Sequence, residues 1–170
     1  MRIELAADPH VPAIAAIYAH AATTSATTFD LEGKPESWWR EAIAAPAEGH
    51  MTLVALDPGD EVLGYAKSST HKDRPAYDTT CETSAYVAEE ARGRGVGGAL
   101  YDELLARLEA SPLRLAVAGV AEPNEASTRL HVSRGFTFVG TFTGVGTKFG
   151  RSWDVSWYQR PLDGHLGHAP

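Results

Sequence analysis

Apolar residues recur along this chain with two periods, and the switches between them predict a succession of elements. Residues 2–5 read as a short strand, followed by a turn at Asp8-Pro9. Over residues 11–22, Val11, Ile14, Ile17 and Tyr18 fall at helical spacing. A second helix is predicted to open near Pro35, because proline fits the first turn of a helix. Trp38, Trp39 and Ile43 give it an apolar side. Residues 51–56 and 62–69 read as two strands joined by Asp57-Pro58-Gly59-Asp60, a strong turn signal, and form an antiparallel hairpin.

A polar loop over residues 70–79 leads to a strand at 81–87. Beyond Gly97 the helical period returns, with Leu100, Leu104 and Leu108 on one stripe. Residues 113–120 are continuously apolar, as in a strand covered on both faces. A short helix over 125–134 ends at Gly135, a suitable C-terminal cap. Two strands, 136–142 and 153–160, complete the pattern.

The order is strand, two helices, three strands, helix, strand, helix, two strands. It predicts a mixed α/β sheet, and 170 residues suit one domain with one core. That domain is expected over residues 1–162, with 163–170 a loose tail lacking apolar periodicity.

Composition narrows the possibilities. The chain is 44% hydrophobic and 22% charged, as in an ordinary globular protein. No apolar run approaches the roughly 20 residues that span a bilayer. Residues 1–5 lack the basic and apolar segments of a secretory signal, so a cytoplasmic location is expected. The net charge of −7 argues against general nucleic-acid binding, which needs a basic footprint. Cys81 is the single cysteine, excluding an internal disulfide, and is expected to be buried as a small hydrophobe. The histidines form no metal-binding pattern, and no metal is expected.

The candidate chemistry centres on Arg92-Gly93-Arg94-Gly95-Val96-Gly97-Gly98, entered from a strand and left by an amphipathic helix. Its glycines let the backbone approach a ligand and aim several N–H groups at one place. The helix start adds a positive dipole end, and Arg92 and Arg94 can add charge-assisted hydrogen bonds to phosphate oxygens. By itself this is an anion site. The loop lies too late in the chain for the dinucleotide fingerprint and lacks the Lys-Ser/Thr pair of a triphosphate loop.

Arg92-x-x-Gly95-x-Gly97 resembles the cofactor loop of the GCN5-related N-acetyltransferases, which cradles the pyrophosphate of acetyl-CoA. Asn124-x-x-Ser127-x-x-Leu130-His131, closing with Gly135-Phe136, resembles a second element of that family. Tyr77, the run from Cys81 to Val87, the run from Val145 to Arg151, Trp153-Asp154-Val155 and Gln159-Arg160 narrow the resemblance. They point to its phosphinothricin and methionine sulfoximine/sulfone acetyltransferase branch. The resemblance covers residues 2–162 and implies the acyl-CoA N-acyltransferase fold, a mixed central sheet of about six to seven strands with flanking helices.

It also implies roles. Glu82 matches the catalytic glutamate, removing a proton from the acceptor's ammonium directly or through water. The strand that carries it and the next strand are expected to splay apart around the pantetheine arm, with Ala85, Tyr86 and Val87 giving main-chain contacts. A bulge in this strand would alter the alternation that puts Glu82, Ser84 and Tyr86 on one face. His131 stands where relatives carry a tyrosine that protonates the departing thiolate. Asn124 and Ser133 are expected at the cofactor, together with Arg92 through Gly98. Lys72 and Arg74 are expected to bind the acceptor's anionic groups, and Phe29 and Tyr77 to wall its side chain. A homodimer is implied as well. The alternatives are an acetyltransferase acting on a protein N-terminus, a lysine or another small amine, and a CoA-binding regulatory module without turnover.

Overall fold

A computed structural model of the protein describes residues 1–162; the predicted tail lies outside the described residues. Seven strands form one mixed sheet: β1 (Arg2–Leu5), β2 (Thr52–Leu56), β3 (Val62–Thr70), β4 (Thr80–Val87), β5 (Leu115–Ala121), β6 (Thr137–Lys148) and β7 (Arg151–Pro161). Four helices flank it: α1 (Val11–Thr24), α2 (Glu36–Ala44), α3 (Val96–Glu109) and α4 (Glu125–Val132). The spatial order of the strands is β1-β2-β3-β4-β5-β7-β6. Both the succession of elements and the mixed sheet match the expectation from the chain's periodicity.

The pleat sends alternate residues to opposite faces, and each face has its own core. Leu53 and Ala55 of β2 pack with Ala66, Cys81, Leu100, Leu104 and Leu108 on the α3 side. Val54 and Leu56, the residues between and beyond them, pack with Val11, Ile14, Tyr18, Trp39 and Tyr65 on the α1–α2 side. The Leu100, Leu104, Leu108 stripe is fully buried, which is why α3 forms where the 3.6-residue period returns. Among the described residues no helix is long and apolar enough to cross a membrane.

The β2–β3 turn is held by Asp57, whose Oδ1 accepts from the backbone N–H groups of Gly59 (2.8 Å) and Glu61 (3.0 Å). The last strands run longer than predicted. Lys148 pairs with Arg151 around a two-residue turn, Phe149 and Gly150, both with positive φ, the geometry that suits a hairpin. β6 shifts register between Phe138 and Gly140 and between Phe142 and Gly146, so it continues through glycines that read as a loop.

One irregularity positions the site. β4 and β5 pair in parallel at three positions only, Thr80–Leu115, Cys81–Ala116 and Glu82–Val117. Beyond Glu82, β4 stays with β3 as far as Val87, while β5 stays with β7 as far as Ala121. The sheet therefore opens, as the resemblance implied.

Candidate active site

Where β4 leaves β5 there is a cleft of about 490 Å³. Thr83 through Val87 form one wall, Gly119, Val120 and Ala121 another, and Asn124, Ser127, Leu130 and His131 of the α4 region a third. The separation leaves the β5-facing edge of β4 without a neighbouring strand beyond Glu82, so main-chain groups of Ala85, Tyr86 and Val87 border the cleft. Pairing of β3 with β4 runs without a register shift. No bulge interrupts the alternation, and Glu82, Ser84 and Tyr86 share one face.

Arg92, Gly93, Gly95, Val96 and Gly97 line one end of the cleft. Gly95 is the N-cap of α3 with φ +80°, and no side chain caps that helix. The first N–H groups of α3 thus have no partner within the helix. Aimed together with the dipole and Arg92, they make a cradle for phosphate oxygens. Arg94 and Gly98 are off the lining. A Cβ at Gly98 would come within 2.5 Å of Nη2 of Arg134, a residue the sequence reading missed; it also pairs with Asp102 (3.0 Å). Arg134 thereby holds a second guanidinium beside the α3 N-terminus.

Asn124 caps α4, its Oδ1 accepting from Ser127 N–H (3.1 Å), and lines the cleft. Ser133 does not. Its hydroxyl donates to the Leu130 carbonyl (3.0 Å) and accepts from Arg134 Nη1 (2.8 Å). The cradle, the parted strands and the capped helix together fit a long thioester with a phosphate end.

Glu82 sits at the mouth of the parting, outside the lining of the cleft itself, on the face opposite Cys81 and Thr83. Its Oε1 lies 2.8 Å from Nδ1 of His71. An ionised carboxylate only accepts, so His71 donates, with its proton on Nδ1. The imidazole is held edge-on by Tyr77 (5.9 Å) and Trp157 (6.0 Å). His71, one residue past β3, is not among the site residues that the sequence motifs point to. Its signal is the β3–β4 register, which pairs Ser69 with Glu82 and so puts His71, two residues beyond Ser69, on the same face and diagonal to Glu82.

His131 is 4% exposed, and burial lowers its proton affinity below the ordinary histidine value. Its Nδ1 donates to the Ser127 carbonyl (2.7 Å), leaving Nε2 to accept from the Tyr101 hydroxyl (2.8 Å). His131 borders the cleft, but as a neutral ring with both nitrogens engaged. Cys81 is fully buried, and burial pushes its thiol up to about 12, which removes it as a nucleophile.

The four residues expected at the acceptor are scattered. Tyr77 reaches Glu82 through His71, and Lys72 lies over the Tyr77 ring at 5.1 Å. Arg74 is exposed at the start of the turn Pro75–Tyr77. Phe29 instead packs on β6, where a Cβ at Gly146 would come within 2.3 Å of its ring. Lys148 fixes that segment by donating to the Thr28 carbonyl (2.7 Å).

The model of the acetyltransferase (GNAT) family matches residues 14–136. A phosphinothricin N-acetyltransferase of Streptomyces coelicolor is 48% identical over 149 residues, covering 86% of this chain and 87% of that one. An L-methionine sulfoximine/L-methionine sulfone acetyltransferase of Pseudomonas paraeruginosa is 36% identical over 158 residues, 90% of each chain. Among solved structures, a phosphinothricin acetyltransferase of Sinorhizobium meliloti in complex with acetyl-CoA superposes with a TM-score of 0.92. Its identity is 31%, covering 99% of this chain and 92% of that one. The parted strands and uncapped glycine loop thus coincide with likeness along nearly the whole chain, and this protein belongs to the acetyltransferase (GNAT) family.

Proposed function

We propose that the protein transfers the acetyl group of acetyl-CoA directly to the primary amine of a small amino-acid-like acceptor. The observation that carries this reading is the parting of β4 from β5 immediately after Glu82, which sets a carboxylate at the mouth of a cleft suited to a thioester. Acetyl-CoA, when bound, supplies the activated carbonyl carbon. Glu82 takes one proton from the acceptor's ammonium, directly or through water; the electron pair left on nitrogen forms the new C–N bond as the C–S bond breaks, and the second proton shed by the nitrogen passes to the departing thiolate. Main-chain groups of Ala85, Tyr86 and Val87 would face the carbonyl, and Arg92, Gly93, Gly95, Val96 and Gly97 with Asn124 would hold the phosphates, Arg94 and Gly98 standing outside the lining. Ser133 belongs to the outer rim of that contact, through Arg134.

His131 supports the thiolate's departure as a polar wall shared with Tyr101 rather than as an obligatory acid. A thiol of ordinary acidity, near pKa 8.5, leaves without much assistance. Lys72, Arg74 and Tyr77, on the segment that follows His71, form the rim of the acceptor side, while Phe29 stands apart against β6. The reading also includes a cytoplasmic location, in keeping with one unpaired buried cysteine. It includes a homodimer as well, supported by exposed Phe138, Val139, Phe142 and Val145 on edge strand β6.

Acetyl-CoA turnover against methionine sulfone, methionine sulfoximine, phosphinothricin and the common amino acids tests the reading. Acetylation of at least one such amine is expected. Acetyl-CoA binding without turnover of any of them would overturn it and favour a regulatory module.

A further inference from the structure

Lys67 is a charged residue on an apolar face. It lies in β3 opposite Ser84 of β4, while Ser69, two residues on, lies opposite Glu82. With no bulge in this pairing, Lys67, Ser84 and Glu82 point to the same side of the sheet, the α1–α2 side. The lysine stem passes into the aromatic cluster of that side. Its Nζ lies 5.3 Å from the Trp38 ring centroid and 5.7 Å from that of Trp39. Burial lowers its proton affinity, against the pull of Asp30 and Glu82.

Neither nearby carboxylate forms an ion pair with it. Asp30 Oδ2 accepts from the Tyr18 hydroxyl (2.6 Å) and pairs with Lys34 (2.9 Å). Glu82 is bound by His71. Among the described residues Lys67 forms no ion pair, so its ammonium has two ring faces and no anion. Half-buried cations of this kind are stabilised when an anion arrives. Of the other lysines near this face, Lys34 is held by Asp30 and Lys148 by the Thr28 carbonyl, while Lys72 lies over the Tyr77 ring.

We propose that Lys67 binds the carboxylate of an α-amino acid acceptor whose ammonium faces Glu82. The proposal rests on the acceptor reading given above and adds the group that selects the acceptor class. Lys67 and Glu82 share one face of the sheet, and Glu82 is close enough for its charge to act on the Lys67 ammonium. An ammonium and a carboxylate attached to one carbon offer one hydrogen bond of about 3 Å to each of two such opposite charges. A zwitterion thus meets opposite charges in the right order, whereas a simple amine leaves Lys67 without a partner.

The test compares methionine sulfone with its decarboxylated counterpart as acceptors for the wild type and for Lys67→Met, which keeps the stem against Trp38 and Trp39. The ratio of kcat/KM between the two amines is expected to fall by about 10- to 100-fold in Lys67→Met, the worth of one hydrogen bond to a charge. The fall should come mainly from a higher KM for the carboxylate-bearing amine. A ratio unchanged within about twofold overturns the assignment while leaving the acetyltransferase reading intact. If the wild type binds acetyl-CoA but acetylates neither amine, the acceptor reading falls and Lys67's role falls with it.

A second measurement covers the case of a variant that does not fold. Wild-type protein labelled at lysine carbons is titrated with methionine sulfone and followed by NMR. The Lys67 resonance adjoining Nζ is expected to shift with the carboxylate-bearing amine and far less with the decarboxylated one. Equal shifts for both ligands, or none for either, overturn the proposal.

Discussion

In the proposed reaction Glu82 and His71 divide one task between two side chains. Glu82→Gln removes the proton acceptor and is expected to lower kcat by at least about 10²-fold near neutral pH, with acetyl-CoA affinity unchanged. His71→Phe leaves the carboxylate but removes its donor, a loss of about 1.5–3 kcal/mol of orientation, or roughly 10- to 100-fold in kcat. His71→Gln retains an N–H and should recover most of the activity; steady-state kinetics of the three variants separates base from orienting partner. His131 makes a different prediction. Its folded-state proton affinity lies below the ordinary value of 6.5, so the unfolded chain binds the extra proton first as pH falls. Stability should therefore drop as pH goes below about 6.5, and thermal unfolding of His131→Phe should show a weaker pH dependence across that window. Calorimetry between neutral and mildly acidic buffer checks the sign.

At the scale of elements, the loop before α3 is the part most exposed to single changes. Gly95 holds φ at +80°, and a Cβ there would meet nothing within 4 Å, so an alanine is opposed by backbone conformation alone. Gly95→Ala is expected to cost about 1–2 kcal/mol if the loop is kept. If the loop relaxes, its N–H groups turn away, and acetyl-CoA binding measured by calorimetry should weaken by roughly tenfold, a change of about 1.4 kcal/mol. This loop was legible in the sequence because its glycines, its arginine and the helical period after it lie side by side. β6 was legible only in part. The strand predicted over 136–142 takes in Gly140 but stops short of Gly144 and Gly146, yet β6 runs on through both with two register shifts, a long-range effect of pairing with β7. The same limit hid Lys67 and His71, since both acquire meaning only from the residues that β4 sets beside them. The cofactor residues stood within two contiguous motifs, whereas the acceptor residues come from separate elements and could not be assembled from spacing.

At the scale of the molecule, the sheet ends on a long strand with apolar side chains in solvent. Phe138, Val139, Phe142 and Val145 are each more than half exposed on β6, the outermost strand. An uncovered edge of that kind is expected to meet another copy of itself. Phe142→Lys should lower the association measured by sedimentation velocity while leaving the helical and strand content of the monomer intact. Its effect on turnover would tell whether pairing of subunits matters to catalysis.

The three positions at which β4 and β5 pair have a consequence for mechanical coupling. They are the sheet's sole joint between a first half, β1 to β4, and a second half, β5 to β7. A sheet sewn at so few stitches transmits little strain from one half to the other, and local opening costs less there than global unfolding. A thioester lying along the gap would act as a removable rivet. Amide exchange in β5 should slow when acetyl-CoA is added, out of proportion to the few contacts the ligand makes with that strand, because binding would make two semi-independent halves open as one.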